Sequence, residues 1–245
     1  MAQPVAVLVT GSAGRIGRAA VAELLRRGHR VRGFDRVPTP ELPDCIVGDL
    51  IDRAALDRAM AGMDCVVHLA ATPDEDHFLT QLLPNNIVAV YHVMEAARAA
   101  GVRRIVLASS GQVNWWQQQR GPFPIRPEEV PTPRLWYAAT KMFMESIGRG
   151  FAEMHGISVI TARLGSCPRS AEQVAEIAAS EWLQDVYFSP GDAGRFFACA
   201  VEARADLQHA LVNAASKPLH QARLDLHSAA ELLGYHPQEH WPEGL

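Results

Sequence analysis

Short apolar runs alternate along the chain with segments whose apolar residues recur at helical spacing. Residues 5–10 form the first run and end in a glycine-rich turn, after which Ile16, Ala20 and Leu24 repeat at helical spacing as far as Gly28. This pattern predicts a strand, a turn and a helix.

The same alternation continues through the first half of the chain. It predicts strands at 29–35, 45–50, 65–70 and 104–110, and helices at 53–61 and 86–100. Each strand segment is too apolar to have a face in solvent, which is typical of parallel strands covered by helices on both sides. We therefore expect an α/β fold built on a doubly wound parallel sheet, the Rossmann fold.

The second half of the chain is less regular. Five prolines and a pair of tryptophans interrupt residues 111–135, where no periodicity survives, so we expect an ordered surface loop there. Beyond it the pattern predicts helices at 137–154, 171–182 and 192–204, and strands at 158–165 and 210–215. The residues after this loop suggest a small C-terminal lobe.

Composition narrows the range of partners. A chain of 245 residues with near-average apolar content has the size of one α/β domain. Lysine and arginine total 23 against 27 aspartates and glutamates, and no basic cluster is long enough to follow a phosphate backbone. A small-molecule ligand is therefore expected, and nucleic acid is not.

Cysteine spacing and hydropathy bear on the compartment. The four cysteines are scattered, without the close pairs of a zinc site or the density of a disulfide scaffold. His68 and His92 lie in apolar surroundings that indicate packed side chains, so we expect no metal site. No signal-peptide pattern or membrane-spanning window is present, which favours a cytoplasmic protein without membrane contact.

A glycine-rich turn follows the first strand and opens the first helix. Its candidate cofactor-binding residues are Gly11, Ala13, Gly14, Arg15, Ile16 and Gly17. Glycines allow the backbone to approach a pyrophosphate, and the free amides and dipole of the helix start favour the anion. The alternative is a plain tight turn, but the position after a buried strand favours dinucleotide binding.

Asp35 closes the second predicted strand, 18 residues beyond Gly17. A carboxylate there can accept hydrogen bonds from both ribose hydroxyls and repel a ribose 2′-phosphate, which favours NAD over NADP. Arg36 leaves the alternative open, since a guanidinium could hold that phosphate.

Tyr137 and Lys141 lie four residues apart on a predicted helix, so their side chains project from one face. An adjacent ammonium stabilises a phenolate and brings tyrosine into the working range of a general acid or base. The chain has four tyrosines and only two lysines, which argues against a chance pair. We interpret Tyr137 as the proton carrier and Lys141 as the group that tunes it.

Ser110 ends the strand before the proline-rich loop, at the sheet edge where ligands of such folds bind. Its hydroxyl could hydrogen-bond a substrate oxygen, although Ser109 is a rival and a serine pair at a strand end is also common turn chemistry. Loop aromatics nearby could stack on a sugar or simply pack the loop: Trp115, Trp116, Phe123 and Trp136.

The chain resembles the extended short-chain dehydrogenases, the NAD-dependent epimerase/dehydratase superfamily. The matching segments are TGSAGRIG at 10–17, GDL at 48–50, HLAA at 68–71, ASS at 108–110 and YAATK at 137–141. Within that group it is most similar to the uronate dehydrogenases, through segments 84–98, 104–110, 163–167 and 232–237.

The resemblance implies an NAD-dependent enzyme. It implies cofactor contacts from Asp49, Leu50, Leu69, Ala70, Ala71, Lys141 and Cys167, and substrate contacts from Ser110, Gly111, Gln112, Tyr137 and Ser166. Lys141 would bind the nicotinamide ribose, with Asn86 supporting it through water. The resemblance also implies a homodimer formed through helices 86–100 and 137–154.

Two departures from the subgroup put a uronate substrate in question. Gly111 and Gln112 replace its Asn-His pair, and residues 171–182 contain no arginine to hold a sugar carboxylate, with Arg169 the nearest candidate. We expect residues 1–165 to form an NAD-binding core and residues 166–245 a small substrate lobe that completes the same domain.

The predicted function is hydride transfer between NAD and a sugar, sugar acid or related small hydroxy compound. Two alternatives stay open: a nucleotide-sugar epimerase or dehydratase, and a dinucleotide-sensing regulatory protein without turnover. The short C-terminal third argues against the first alternative, and the Tyr137–Lys141 pair argues against the second.

Overall fold

A seven-stranded parallel sheet forms the centre of the molecule in a computed structural model that describes residues 3–245. The strands are β1 Ala6–Thr10, β2 Arg30–Asp35, β3 Cys45–Val47, β4 Cys65–His68, β5 Arg104–Ser110, β6 Ser158–Leu164 and β7 His209–Ala214. Their order across the sheet is β3-β2-β1-β4-β5-β6-β7. The expected doubly wound α/β fold is confirmed.

Helices cover both faces of the sheet. They are α1 Arg15–Arg26, α2 Arg53–Met60, α3 Ala89–Ala99, α4 Trp115–Arg120, α5 Trp136–His155, α6 Ala171–Ala178, α7 Glu181–Asp185, α8 Pro190–Glu202 and α9 His227–Leu233. α8 packs on α1 at one face, and α3 packs beside α2 at the other. Across residues 3–245, no helix combines the length and apolar character needed to cross a membrane.

The apolar pattern of the strands explains this layering. In β1, Val7 and Val9 belong to the core beneath α1 and α8, whereas Ala6 and Leu8 belong to the core beneath α2, α3 and α5. Successive side chains of a strand point to opposite faces, so a continuously apolar strand requires cover on both sides.

β3 departs from the expectation that every strand is buried. It pairs with β2 alone at the sheet edge, and Val47 is 54% exposed. It also ends at Val47, three residues earlier than predicted.

Two segments are more helical than the sequence suggests. Residues 111–135 are ordered, as expected, but they contain a 3-10 turn at Gly111–Asn114 and the short helix α4. The helix predicted from residue 86 begins earlier, as a π-helix over Phe78–Val88 that runs into α3. Pro84 obscures this start in the sequence, because proline lacks the amide of a regular helical turn.

The strand order places a crevice at the carboxyl edge of the sheet. The chain leaves β1 for β2 on one side and later returns to β4 on the other, so the loops after β1 and β4 diverge to opposite faces. Ligands of open α/β sheets bind at such a switch point, which fixes where the functional residues must meet.

Candidate active site

A cavity of about 640 Å³ opens at this edge of the sheet. Its lining includes the glycine turn after β1, the ends of β2 and β5, the start of α5 and residues from α6 and α7. The structure therefore brings the predicted cofactor residues and the predicted Tyr137, Lys141 and Ser110 into one continuous space.

The glycine turn is shaped for a close approach. Gly11 has φ of +71°, and a Cβ on it would lie 2.6 Å from the amide nitrogen of Ala70. A Cβ on Gly17 would collide with the carbonyl oxygen of Gly11. Within the described residues no side chain caps the start of α1 at Gly14, so its amides face the cavity as an anion site.

Asp35 connects the end of β2 to this turn. Its Oδ2 accepts a hydrogen bond from the Ala13 amide at 3.0 Å, and its Oδ1 accepts one from Val37 at 3.4 Å. Asp35 also lines the cavity, so its carboxylate both fixes the turn and stands where a cofactor ribose would bind. Ala13 contributes to the turn through this bond, and the cavity lining of the described chain does not include it.

The remaining predicted cofactor residues surround the same end of the cavity. They are Arg15, Ile16, Arg36, Asp49, Leu50, Leu69, Ala70, Ala71 and Cys167. Burial raises the pKa of the Cys167 thiol to about 11, so this side chain is neutral at physiological pH. The glycine turn, a ribose carboxylate and apolar walls together fit a dinucleotide such as NAD.

Tyr137 lies in the first turn of α5 and is 6% exposed. Its backbone amide donates to Oε2 of Glu75 at 2.8 Å, which places a carboxylate at the start of the helix. Lys141 lies one turn later, where its Nζ donates to the Ala108 carbonyl at 2.9 Å and lies 5.6 Å from the Tyr137 ring centroid. Burial lowers the pKa of Lys141 to about 8, while Glu145 acts to raise it.

Burial raises the pKa of the Tyr137 phenol above its ordinary value. A hydrogen bond with Ser110 and the charge of Arg169 lower it, and Asp74 raises it. The groups that act on the phenol thus come from β5, the loop after β4 and the segment before α6. The idea that Lys141 tunes Tyr137 stays a prediction.

The neighbouring serines Ser109 and Ser110 lie in different environments. The Ser109 hydroxyl donates to Oε1 of Glu145 at 2.5 Å in a buried network. The Ser110 Oγ accepts from the Gln112 amide at 3.1 Å at the cavity wall and reaches Tyr137. Ser109 is committed to Glu145, which leaves Ser110 as the candidate for a substrate contact.

Asn86 lies behind the cavity wall. Its Nδ2 donates to the Thr72 carbonyl at 3.0 Å and to the Thr140 hydroxyl at 3.1 Å, and its Oδ1 accepts from the Thr72 amide at 2.8 Å. Asn86 therefore connects the loop after β4 to α5 at Thr140, the residue next to Lys141 in the chain. Its predicted support of Lys141 through water is a separate role that stays a prediction.

Of the predicted loop aromatics, Trp115 lines the cavity. It packs edge-on against Trp182 of α7 at 5.5 Å between ring centroids, and the Arg134 guanidinium lies 5.1 Å from its ring. Trp136 is 63% exposed and packs on Phe78 instead. The wall of the substrate end thus comes from Trp115 and Trp182 together.

Several lining residues were missed by the sequence reasoning: Pro73, Asp74, Gln118, Gln173, Glu176 and Trp182. Asp74 could have been found, because it follows β4 at the carboxyl edge where sites form. Pro73 lies beside Asp74 in the same loop, and the other four lie on α4, α6 and α7, whose placement depends on tertiary packing. Among the described residues, no group of three or more His, Cys, Asp or Glu side chains could hold a metal ion.

Known proteins of similar sequence and structure include sugar dehydrogenases. Over 250 residues the chain is 32% identical to L-arabinose 1-dehydrogenase (NAD(P)(+)) of Haloferax volcanii, which covers 95% of this chain and 96% of that protein. A mutant uronate dehydrogenase from Agrobacterium tumefaciens complexed with NAD superposes with a TM-score of 0.76 at 28% identity, over 96% of this chain and 85% of that one.

A third similar structure is MoeE5 in complex with UDP-glucuronic acid and NAD, with a TM-score of 0.77 at 26% identity, over 97% of this chain and 95% of that one. Residues 7–167 match the model of the NAD dependent epimerase/dehydratase family. The resemblance to extended short-chain dehydrogenases is confirmed, and the chain belongs to the NAD dependent epimerase/dehydratase family.

Proposed function

We propose that this protein is an NAD-dependent oxidoreductase that transfers a hydride between the nicotinamide and a sugar, sugar acid or related small hydroxy compound. The observation that carries the proposal is the single cavity shared by the glycine turn, Asp35, Ser110 and Tyr137. A dinucleotide held at one end of this cavity has a proton carrier at the other. Its relatives include sugar dehydrogenases that use NAD.

NAD, when bound, would supply the hydride acceptor. The protein's residues bind the cofactor, orient the substrate and transfer the proton. The amides at the start of α1 would hold the pyrophosphate, and the Asp35 carboxylate would accept from the ribose hydroxyls. Ser110 orients the substrate oxygen, and Tyr137 takes its proton as the phenolate during oxidation and donates one as the phenol during reduction. Lys141, beside Tyr137 on α5, would hold the nicotinamide ribose.

Residues 166–245 supply the cover of the substrate end. Gln173, Glu176 and Ile177 of α6, together with Trp182 and Leu183 of α7, line the cavity above Tyr137. β7 of the same segment pairs with β6, so the segment completes the sheet while it covers the site.

A second candidate is a nucleotide-sugar epimerase or dehydratase, which is favoured by the similarity to MoeE5 with its bound UDP-sugar. Purified protein supplied with NAD, a panel of free sugars and a panel of nucleotide-sugars separates the two. We expect nicotinamide absorbance to rise with free sugars. If the specificity constant for a nucleotide-sugar is well above the specificity constants for all the free sugars tested, this alternative replaces the proposal.

We expect NAD to bind at least tenfold more tightly than NADP, about 1.4 kcal/mol of discrimination. The reason is that the Asp35 carboxylate stands at the ribose site and repels a 2′-phosphate. Fluorescence titration of both cofactors measures the ratio. Asp35→Ala should narrow it, whereas Asp44→Ala, a surface carboxylate paired with Arg32, should leave it unchanged. Equal affinities in the parent protein would show that Arg36 dominates this site.

We expect a homodimer formed by α3 and α5 with their copies. Large apolar side chains stand exposed along these helices and the π-helix before α3: Leu79, Tyr91, Trp136, Phe143 and Met154. Light scattering should give twice the subunit mass of 26.8 kDa at micromolar concentration. Phe143→Glu should yield monomers, while Val130→Glu, on an exposed loop outside both helices, should not. A monomeric parent protein contradicts the expectation.

A further inference from the structure

At the substrate end of the cavity, a carboxylate and a guanidinium form an ion pair that the sequence motifs do not reveal. Besides Lys141 next to Tyr137, the charged lining residues of this end are Asp74 after β4, Arg169 before α6 and Glu176 within α6. The Lys141 ammonium donates to the Ala108 carbonyl at 2.9 Å. Arg15 and Arg36 belong to the start of α1 and the end of β2. Among the described residues, the substrate end beyond Lys141 thus carries two carboxylates and one guanidinium.

That guanidinium is already occupied. Arg169 Nη2 forms an ion pair with Oδ2 of Asp74, and its Nη1 donates to the Pro73 carbonyl at 3.3 Å. The backbone amide of Arg169 donates to Oε1 of Gln173 at 2.7 Å, which fixes the segment that carries the side chain. Arg169 is the residue that the sequence offers as a clamp for a sugar carboxylate.

Asp74 is held in turn from three parts of the chain. Besides Arg169, Nε2 of Gln112 donates to its Oδ1 at 3.0 Å and Nε2 of Gln173 donates to its Oδ2 at 3.3 Å. The loop after β4, the turn after β5 and α6 therefore meet at one carboxylate. Asp74 and Arg169 line the same cavity as Tyr137, and their charges act on the pKa of Tyr137 in opposite directions.

An anionic substrate would meet an unfavourable field here. To bind a carboxylate or phosphate, Arg169 would have to leave Asp74, and the uncovered Asp74 and Glu176 would then face the anion. An uncharged polyol requires no such change, because it can donate hydroxyls to the Asp74 oxygens and accept from Gln112 and Gln173. The site therefore discriminates against anionic ligands, because their binding requires the ion pair between Arg169 and Asp74 to break.

We propose that Asp74 is a specificity-determining residue, which by pairing with Arg169 makes this site select uncharged sugars over uronates and sugar phosphates. This inference rests on the proposed function and names the substrate class of that same site. Asp74→Asn keeps the size of the side chain and removes the charge that neutralises Arg169. In this variant Arg169 becomes the carboxylate clamp.

Galactose and galacturonate form the test pair, because they differ only at the carbon that bears the carboxylate. The parent protein should have the higher kcat/KM for galactose. Asp74→Asn should raise the galacturonate-to-galactose ratio of kcat/KM at least tenfold, mainly through a lower KM for the acid. The double variant Asp74→Asn/Arg169→Gln should lose that gain, and Asp76→Asn, an exposed carboxylate two residues away, should leave the ratio within about twofold.

Equilibrium binding of both sugars to the protein with NADH, which cannot accept a hydride, gives the same ratio without turnover and is followed by the fluorescence of Trp115 and Trp182 in the cavity wall. Stronger binding of galacturonate by the parent, or an unchanged ratio in Asp74→Asn, overturns the inference while hydride transfer from sugars stands. If free sugars neither bind nor reduce NAD but nucleotide-sugars do, the proposed function fails and the inference fails with it.

Discussion

We expect Tyr137→Phe to lower kcat by about 10²–10⁴-fold, to the point of abolishing measurable turnover, while NAD still binds. The substitution removes only the hydroxyl, so the ring keeps its buried place at the start of α5 and its amide keeps the bond to Glu75. The glycine turn and Asp35 are untouched. Nicotinamide absorbance measures turnover, and fluorescence titration measures cofactor binding.

Tyr91→Phe provides the control for this loss, because Tyr91 is 60% exposed on α3 and is not among the residues that line the cavity. Its activity should match that of the parent protein. Activity of Tyr137→Phe within a few-fold of the parent would remove Tyr137 from the proton-transfer role. Loss of NAD binding together with a lower melting temperature would assign the residue a structural role instead.

We expect Arg163→Ala to lower the free energy of unfolding by about 3–5 kcal/mol, the effect of breaking a buried ion pair. Arg163 is 2% exposed at the end of β6, and its guanidinium donates to both carboxylate oxygens of Glu145, at 2.9 and 2.8 Å. It also donates to Oδ1 of Asn114 at 2.7 Å and to the Pro127 carbonyl at 3.1 Å. Removal of the guanidinium leaves the buried Glu145 carboxylate without its cation, with the Ser109 hydroxyl as its remaining donor, and leaves the Asn114 and Pro127 oxygens without this donor.

Chemical denaturation measures this loss, and Arg149→Ala is the matched control. Arg149 forms an ion pair with Glu153 at 3.1 Å on α5, but both side chains are exposed. Removal of the Arg149 guanidinium should therefore change the free energy of unfolding by less than about 0.5 kcal/mol. The double variant Glu145→Leu/Arg163→Met should recover part of the loss, because no charge is left unpaired in the interior. Equal effects of Arg163→Ala and Arg149→Ala contradict the prediction.

The Arg163 network also has a place in the site. It joins β6, the helix α5 through Glu145, and the segment after β5 through Asn114 and Pro127. The Ser109 hydroxyl donates to the same Glu145, next to Ser110 in the chain. The position of the loop that carries Gln112 and Trp115 therefore depends on a buried charge pair beneath the cavity.

The sequence by itself determined the fold and the cofactor end of the site. Continuously apolar strands can be buried only in a sheet covered on both faces, and the helical spacing of the intervening segments supplies that cover. The glycine turn after β1 and the carboxylate that ends β2 are local features whose roles follow from their place in such a unit. The spacing of Tyr137 and Lys141 is equally local, because residues four apart share a helix face.

Only the tertiary structure decided how the substrate end is built. Asp74 and Arg169 lie 95 residues apart and meet because the loop after β4 and the segment after β6 reach the same sheet edge. The choice between Ser109 and Ser110 depends on Glu145, and the carboxylate at the start of α5 comes from Glu75. Such contacts are set by how distant loops pack, and periodicity carries no information about which side chains then come within hydrogen-bonding distance.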